Sequence, residues 1–260
     1  MKKKESAEEI KEWISSYLYV SKETSREIYD YCYSQYKYIG IPTIRKIIVE
    51  KYSAEKNYVI FHSLFGRRVN DALSRAAAFL VGRLGSRDVE VGISDNGFFL
   101  AGEKLEIERA MKHLTSKNVE EILKEAIEKT EVLKRRFRHC ATRSLMILRK
   151  YKGREKSVGR QQMSSHFLIS AVKKITGEFP ILKEARREVL EDLMDIENCK
   201  LVLKWIEDGK IKIEYKETNL PSPFSLGLIM QGYSDLVKME DRIQFLRRMH
   251  KAIMGKIEKE

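Results

Sequence analysis

The chain has 260 residues, 43% hydrophobic and 34% charged, with a formal net charge of +12, a balance that suits one large or two small globular domains and excludes a disordered polyelectrolyte. No apolar run approaches the roughly 18–20 residues of a membrane helix, and no apolar segment follows the lysines of MKKKESAEEIKEW, so no secretory signal is expected there. Three scattered cysteines (Cys32, Cys140 and Cys199) lack metal-binding spacing, so a cytoplasmic protein without structural metal or cofactor is expected.

Residues 6–38 read as two helices. Ile10, Trp13, Ile14, Tyr17 and Leu18 make one apolar face, and Ile28, Tyr31, Cys32 and Gln35 the next, with Ser21 or Ser25 as cap. The tyrosines crowded here are read as core with a wet hydroxyl; stacking on bases is the alternative. After Gly40 and Pro42, Arg45–Tyr52 and Asn57–His62 are β-branched and aromatic and predict two strands. His62 is read as structural. A small-residue helix is expected over Arg67–Leu84, where Arg67 and Arg68 at the N-terminus can attract a phosphate or pair with an acid. In VEVGISDNGFFL, Val89, Val91 and Ile93 alternate, and Asp95-Asn96-Gly97 reads as a hairpin turn of left-handed residues. Glu103–Lys129 is charged, balanced and helical, and is expected to be exposed scaffolding.

The stretch Lys134–Arg160 differs from everything before it. It holds eleven Lys or Arg residues against one acid, Glu155, and so carries most of the net charge. Ordinary surface helices intersperse signs, whereas a one-sign cluster is an electrostatic footprint for nucleic acid. Leu133, Phe137, Cys140, Ala141, Leu145 and Leu148 recur at helical steps, so a helix is expected from Leu133 to Tyr151. That geometry sets Arg135, Arg138 and Arg149 on one flank and Arg136, Arg143 and Lys150 in a row on the other. Gly153 marks a turn, and Ser157 caps a second helix from Val158 to about Lys174. Lys152, Arg154, Lys156 and Arg160 add to the basic surface. Arg67 and Arg68 complete the candidate nucleic-acid-binding set.

Pro180 opens another helix, with Ile181, Leu182, Ala185, Val189, Leu190, Leu193 and Met194 as its stripe. A helix over Asn198–Glu207 stops at Gly209. IKIEYKET alternates as a strand that follows a helix, as a wing does. NLPSPFS is a loop, and Leu236–Ile257 a last basic helix. The expected fold is helix-dominated α+β, with five strands forming a small barrel-like sheet beside helix-turn-helix or winged-helix units. The expected units are 1–42, 43–103, 104–224 and 225–260. No phosphate-binding G-x-x-x-x-G-K-[ST] loop, G-x-G-x-x-G, H-E-x-x-H or nucleophile elbow occurs. Glu188, Asp192 and Asp195 lie one helical turn apart, a divalent-ion spacing read here as surface ion pairs.

The strings HSLFGRRVNDALSRA, DVEVGISDNGFFL, RRFRHCATRSLMILRKYKG, VGRQQMSSH and FPILKEARREVLEDLMDIENC resemble the C-terminal, DEAD/H-associated region of archaeal large helicase-related (Lhr) proteins. The likeness runs from about Ile41 to Phe224. It implies superfamily 2 helicases that translocate 3′ to 5′ on DNA with two RecA-like motor domains and a winged-helix domain preceding this region. It also implies tandem winged helices plus a β-barrel, and DNA contacts at Lys134–Arg160 and Arg67-Arg68. The motor motifs are absent from this sequence, so the expectation is an accessory region that is not an enzyme on its own. Its implied partners are single-stranded or forked DNA, with RNA as an alternative, and motor domains in cis or in trans, with no membrane. The competing readings are a module docking on a separate motor subunit and, ranked lower, a DNA-glycosylase-like enzyme.

Overall fold

The computed structural model describes residues 6–53, 56–85 and 89–232, together with 247, 251 and 255. The helix expected over Leu236–Ile257 lies outside the described residues, those three positions apart.

The core is built around one mixed sheet. Its strands are β1 (Lys46–Ser53), β2 (Asn57–His62), β3 (Glu90–Ser94), β4 (Gly97–Gly102) and β7 (Lys212–Thr218), in the order β3-β4-β2-β1-β7. The sheet is open, not a barrel. β7 does not form a wing; it lies parallel to β1, with Val49 opposite Tyr215, while the other pairs are antiparallel.

Both faces are covered, which explains the near-continuous apolar runs of the central strands. Ile47, Val49, Val59, Phe61, Phe98 and Leu100 face the main core, under the helix α3 (Arg67–Leu84). Tyr58, Ile60, Phe99 and Ala101 point the other way, onto Leu228 and Ile229 of α10 (Pro223–Gly232). On that second face Glu50 is fully buried, and its carboxylate accepts from Ser222 N–H and Ser222 Oγ, both at 2.7 Å. The ring of His62, 2.9 Å away, completes the network, which gives this histidine a structural partner.

Two turns differ from expectation. None of Asp95, Asn96 and Gly97 has a positive φ. Gly97 matters for a different reason: a Cβ there would sit 2.2 Å from the Phe61 carbonyl oxygen. The left-handed hairpin turn lies at Lys152-Gly153 (φ 49° and 75°), between the two-residue strands β5 (Lys150–Tyr151) and β6 (Arg154–Glu155). Positive φ at both central residues is the type I′ requirement.

The N-terminal helices are α1 (Ala7–Leu18) and α2 (Lys22–Tyr38), with Ser21 as the cap of the second. Their aromatics are not core. Ile14 is buried, but Trp13, Tyr17, Leu18, Tyr31, Tyr33 and Tyr36 are exposed, and Trp13 stacks on Tyr17 at 5.0 Å. The expected scaffold at 103–129 is also more than surface. It forms α4 (Ile107–His113) and α5 (Val119–Ile127), which bury Ile107, Ala110, Val119, Leu123 and Ile127 in the main core. Among the described residues no helix is long and apolar enough to cross a membrane.

Candidate nucleic-acid interface

The basic stretch begins as α6 (Glu131–Arg143), capped by Thr130, whose hydroxyl accepts from Leu133 N–H. Leu133, Phe137, Cys140 and Ala141 are buried at three- and four-residue steps, as the spacing predicts. The helix then ends two turns earlier than expected. Leu145 is left-handed (φ 61°), and Ile147 N–H returns to the Ala141 carbonyl at 3.0 Å. Ile147 therefore fills the core while Leu145 and Leu148 face water. Arg149 and Lys150 consequently stand on the β5–β6 hairpin, not on the helix, and no single row of Arg136, Arg143 and Lys150 exists. Ser157 caps α7 (Val158–Ile175) as expected, accepting from Arg160 N–H.

The two flanks of α6 have different fates. Arg136 and Arg143 turn towards a six-residue π-helical turn, Glu188–Leu193, which continues α8 (Pro180–Arg187). Arg143 hydrogen-bonds one oxygen of Glu188, and Arg136 lies 3.6 Å from the other. Glu188 is 4% exposed, so this is a buried carboxylate held by two guanidiniums. It raises the Arg143 pKa, which keeps that charge in place. The other acids noted in the sequence also have partners: Asp192 faces Arg187 at 3.4 Å, and Asp195 caps α9 (Ile196–Glu207).

The opposite flank of α6 faces α7 across a groove of about 770 Å³. Glu131, Lys134, Arg135 and Arg138 line one wall, three cations to one acid, and Gly159, Gln162, Met163 and His166 lie on the other. Lys134 holds Glu131 at 2.6 Å, while Arg135 and Arg138 have no ion pair among the described residues. Lys150, Lys152, Arg154 and Arg160 are exposed nearby in the chain, Lys156 is half-buried, and Arg149 pairs with Glu155 at 3.3 Å. Gln162, Met163 and His166 were missed by the charge argument because they are neutral. Their signal is the helical spacing, three residues from Met163 to His166 and four from Gln162 to His166, that sets them on one side of α7.

Arg67 and Arg68 do open α3, behind Gly66, but their guanidiniums are engaged. Arg67 donates to the Ile93 carbonyl at 3.1 Å. Arg68 donates to the Glu191 and Met194 carbonyls and so caps the end of the π-helical turn.

Comparison with known proteins agrees with the residue blocks. The profile of the DEAD/H associated family matches residues 41–225. The chain belongs to this family. Among curated DEAD/H-associated relatives, the ATP-dependent helicase Lhr-Core of Methanothermobacter thermautotrophicus is 51% identical over 98% of the chain. That of Saccharolobus solfataricus is 43% identical over 98%. The chain spans about 30% of the length of each. A solved structure of Mycobacterium smegmatis helicase Lhr, bound to ssDNA and AMP-PNP, superposes with a TM-score of 0.71 at 25% identity. That match covers 80% of this chain and 27% of the other.

Proposed function

We propose that this chain is the accessory region of an Lhr-type ATP-dependent helicase that holds a nucleic-acid strand by its phosphates, with the motor supplied by other domains in cis or in trans. The strand would lie along the α6–α7 groove and the β5–β6 hairpin. The observation that carries this reading is the groove wall itself, where Arg135 and Arg138 stand beside Lys134 without ion pairs among the described residues. On the other flank of α6 one buried carboxylate, Glu188, engages both Arg136 and Arg143, so those two guanidiniums are tied within the fold while Arg135 and Arg138 are not. The ssDNA in the related Lhr structure supports a single strand as the ligand.

Phosphate contacts predict steep salt dependence with little base preference. With about four to six phosphates neutralised, the log–log slope of affinity against salt is about −3 to −5, shallower for single strands. Fluorescence anisotropy with single-stranded, duplex and forked probes of DNA and RNA tests this. A flat salt response with strong sequence discrimination would overturn the mechanism in favour of direct base readout. Without a phosphate-binding loop, the chain alone is expected not to hydrolyse ATP.

A further inference from the structure

A second recess, of about 550 Å³, lies between the end of α9, the turn into β7 and the residues that enter β1. It shares no residue with the α6–α7 groove. Trp205 and Phe65 supply aromatic surface, Ile44 and Ile211 aliphatic surface, and Arg45 and Lys210 positive charge. Ile44 is exposed and Trp205 half-buried, so this apolar lining is open to water. Arg45 is tied down through its backbone, which accepts from Lys212 N–H at 2.9 Å, while its exposed guanidinium has no ion pair among the described residues. Lys210 contacts Asp208 at 3.0 Å but remains largely in water. Lys204 and Lys212 are exposed close by in the chain, as are the acids Glu207, which is turned to Ser116, and Asp208. The N–H groups of Lys210 and Ile211 both donate to the Trp205 carbonyl, at 2.8 and 3.1 Å. These bonds fix the spacing between the indole-bearing residue and the cation.

An aromatic ring with cations at its rim complements a flat apolar group joined to an anion. The volume falls within the roughly 300–1,000 Å³ of ligand sites. We propose that this recess takes one base of a nucleic-acid strand, stacked on Trp205, with the adjoining phosphate held by Arg45 and Lys210. The proposal rests on the strand-binding reading above and adds a second contact, remote in sequence from α6. Base stacking on an aromatic ring is tolerant of sequence, as that reading requires.

The test uses the whole chain carrying Trp13→Phe, which leaves Trp205 as its single indole. A fluorescein-labelled oligothymidylate is titrated while anisotropy is recorded, and an unlabelled one while indole emission is recorded. The emission of Trp205 is expected to fall in step with the anisotropy change. Arg45→Glu, a change at an exposed residue, should abolish that quench and weaken binding at least about fivefold. Unchanged emission at saturating oligonucleotide overturns the proposal, as does equal quenching by polyglutamate, which would mark the recess as a site for acidic peptides. If anisotropy detects no strand binding, the strand-binding reading fails and deoxyadenosine monophosphate decides the recess. Quenching by that mononucleotide, lost in Arg45→Glu, supports the recess as a nucleotide site; no quenching overturns it.

Discussion

Replacing Arg136 and Arg143 together by alanine separates the two roles open to these residues. The carboxylate of Glu188 is 4% exposed, bonded to Arg143 and 3.6 Å from Arg136. Removing both guanidiniums strands a buried charge, which typically costs about 3–5 kcal/mol. Arg143 is itself mostly in water, so about 2–4 kcal/mol is expected. At roughly 2–4 °C per kcal/mol for a chain of this size, the melting temperature should fall by about 5–15 °C. Adding Glu188→Gln to the double variant should recover much of the loss, because the stranded charge is then gone. Thermal unfolding followed by circular dichroism at pH 7 reads both effects. A double variant that melts within about 2 °C of the parent, with no response to Glu188→Gln, would refute the buried-pair reasoning.

Other outcomes follow from burial and charge. Phe137→Ala removes a fully buried ring from α6 and should cost about 3–5 kcal/mol by urea unfolding. Glu120 is held near a pKa of about 2 by hydrogen bonds from Lys124 and Lys200. Its stabilising contribution is therefore present above the ordinary carboxylate range and lost as pH falls from about 4.5 towards 2; solvent keeps it small. Lys200→Met should flatten that part of the stability–pH profile, and an unchanged profile would contradict the assignment. Burial pushes the Cys199 thiol up to about 12 and raises Cys140 as well, so neither should react with a thiol reagent at pH 8 until the chain is unfolded.

Local pattern made much of this fold legible. The periodicity of Arg67–Leu84, the alternation in Asn57–His62, the Ser157 cap and Pro180 at a helix start are each consequences of a few adjacent residues. Long-range pairing was not legible. Nothing near Lys212–Thr218 announces that it will join β1 in parallel, so the strand read as a wing. The stripe of α6 misled because Leu145 and Leu148 keep helical spacing beyond the point where a left-handed residue stops the helix. Two-residue strands such as β5 and β6 are too short to show a period. Within the basic stretch the sequence located the charge but not its direction. Only the approach of Glu188, distant in sequence, shows that Arg136 and Arg143 share a buried carboxylate while Arg135 and Arg138 have no ion pair among the described residues. The tyrosines of α1 and α2 have core-like spacing, yet among the described residues most of them lie in water.

The central claim concerns the groove between α6 and α7, and one comparison of affinities tests it most directly. Arg135→Glu/Arg138→Glu is measured against Lys104→Glu/Lys117→Glu, an equal change of charge at exposed lysines outside the groove, with single-stranded DNA at fixed salt. The groove variant is expected to bind at least about tenfold more weakly, about 1.4 kcal/mol, with an unchanged melting temperature. The control should lose no more than about twofold, about 0.4 kcal/mol. Equal losses in the two variants would show that binding reports only overall charge, and the groove would not be the site.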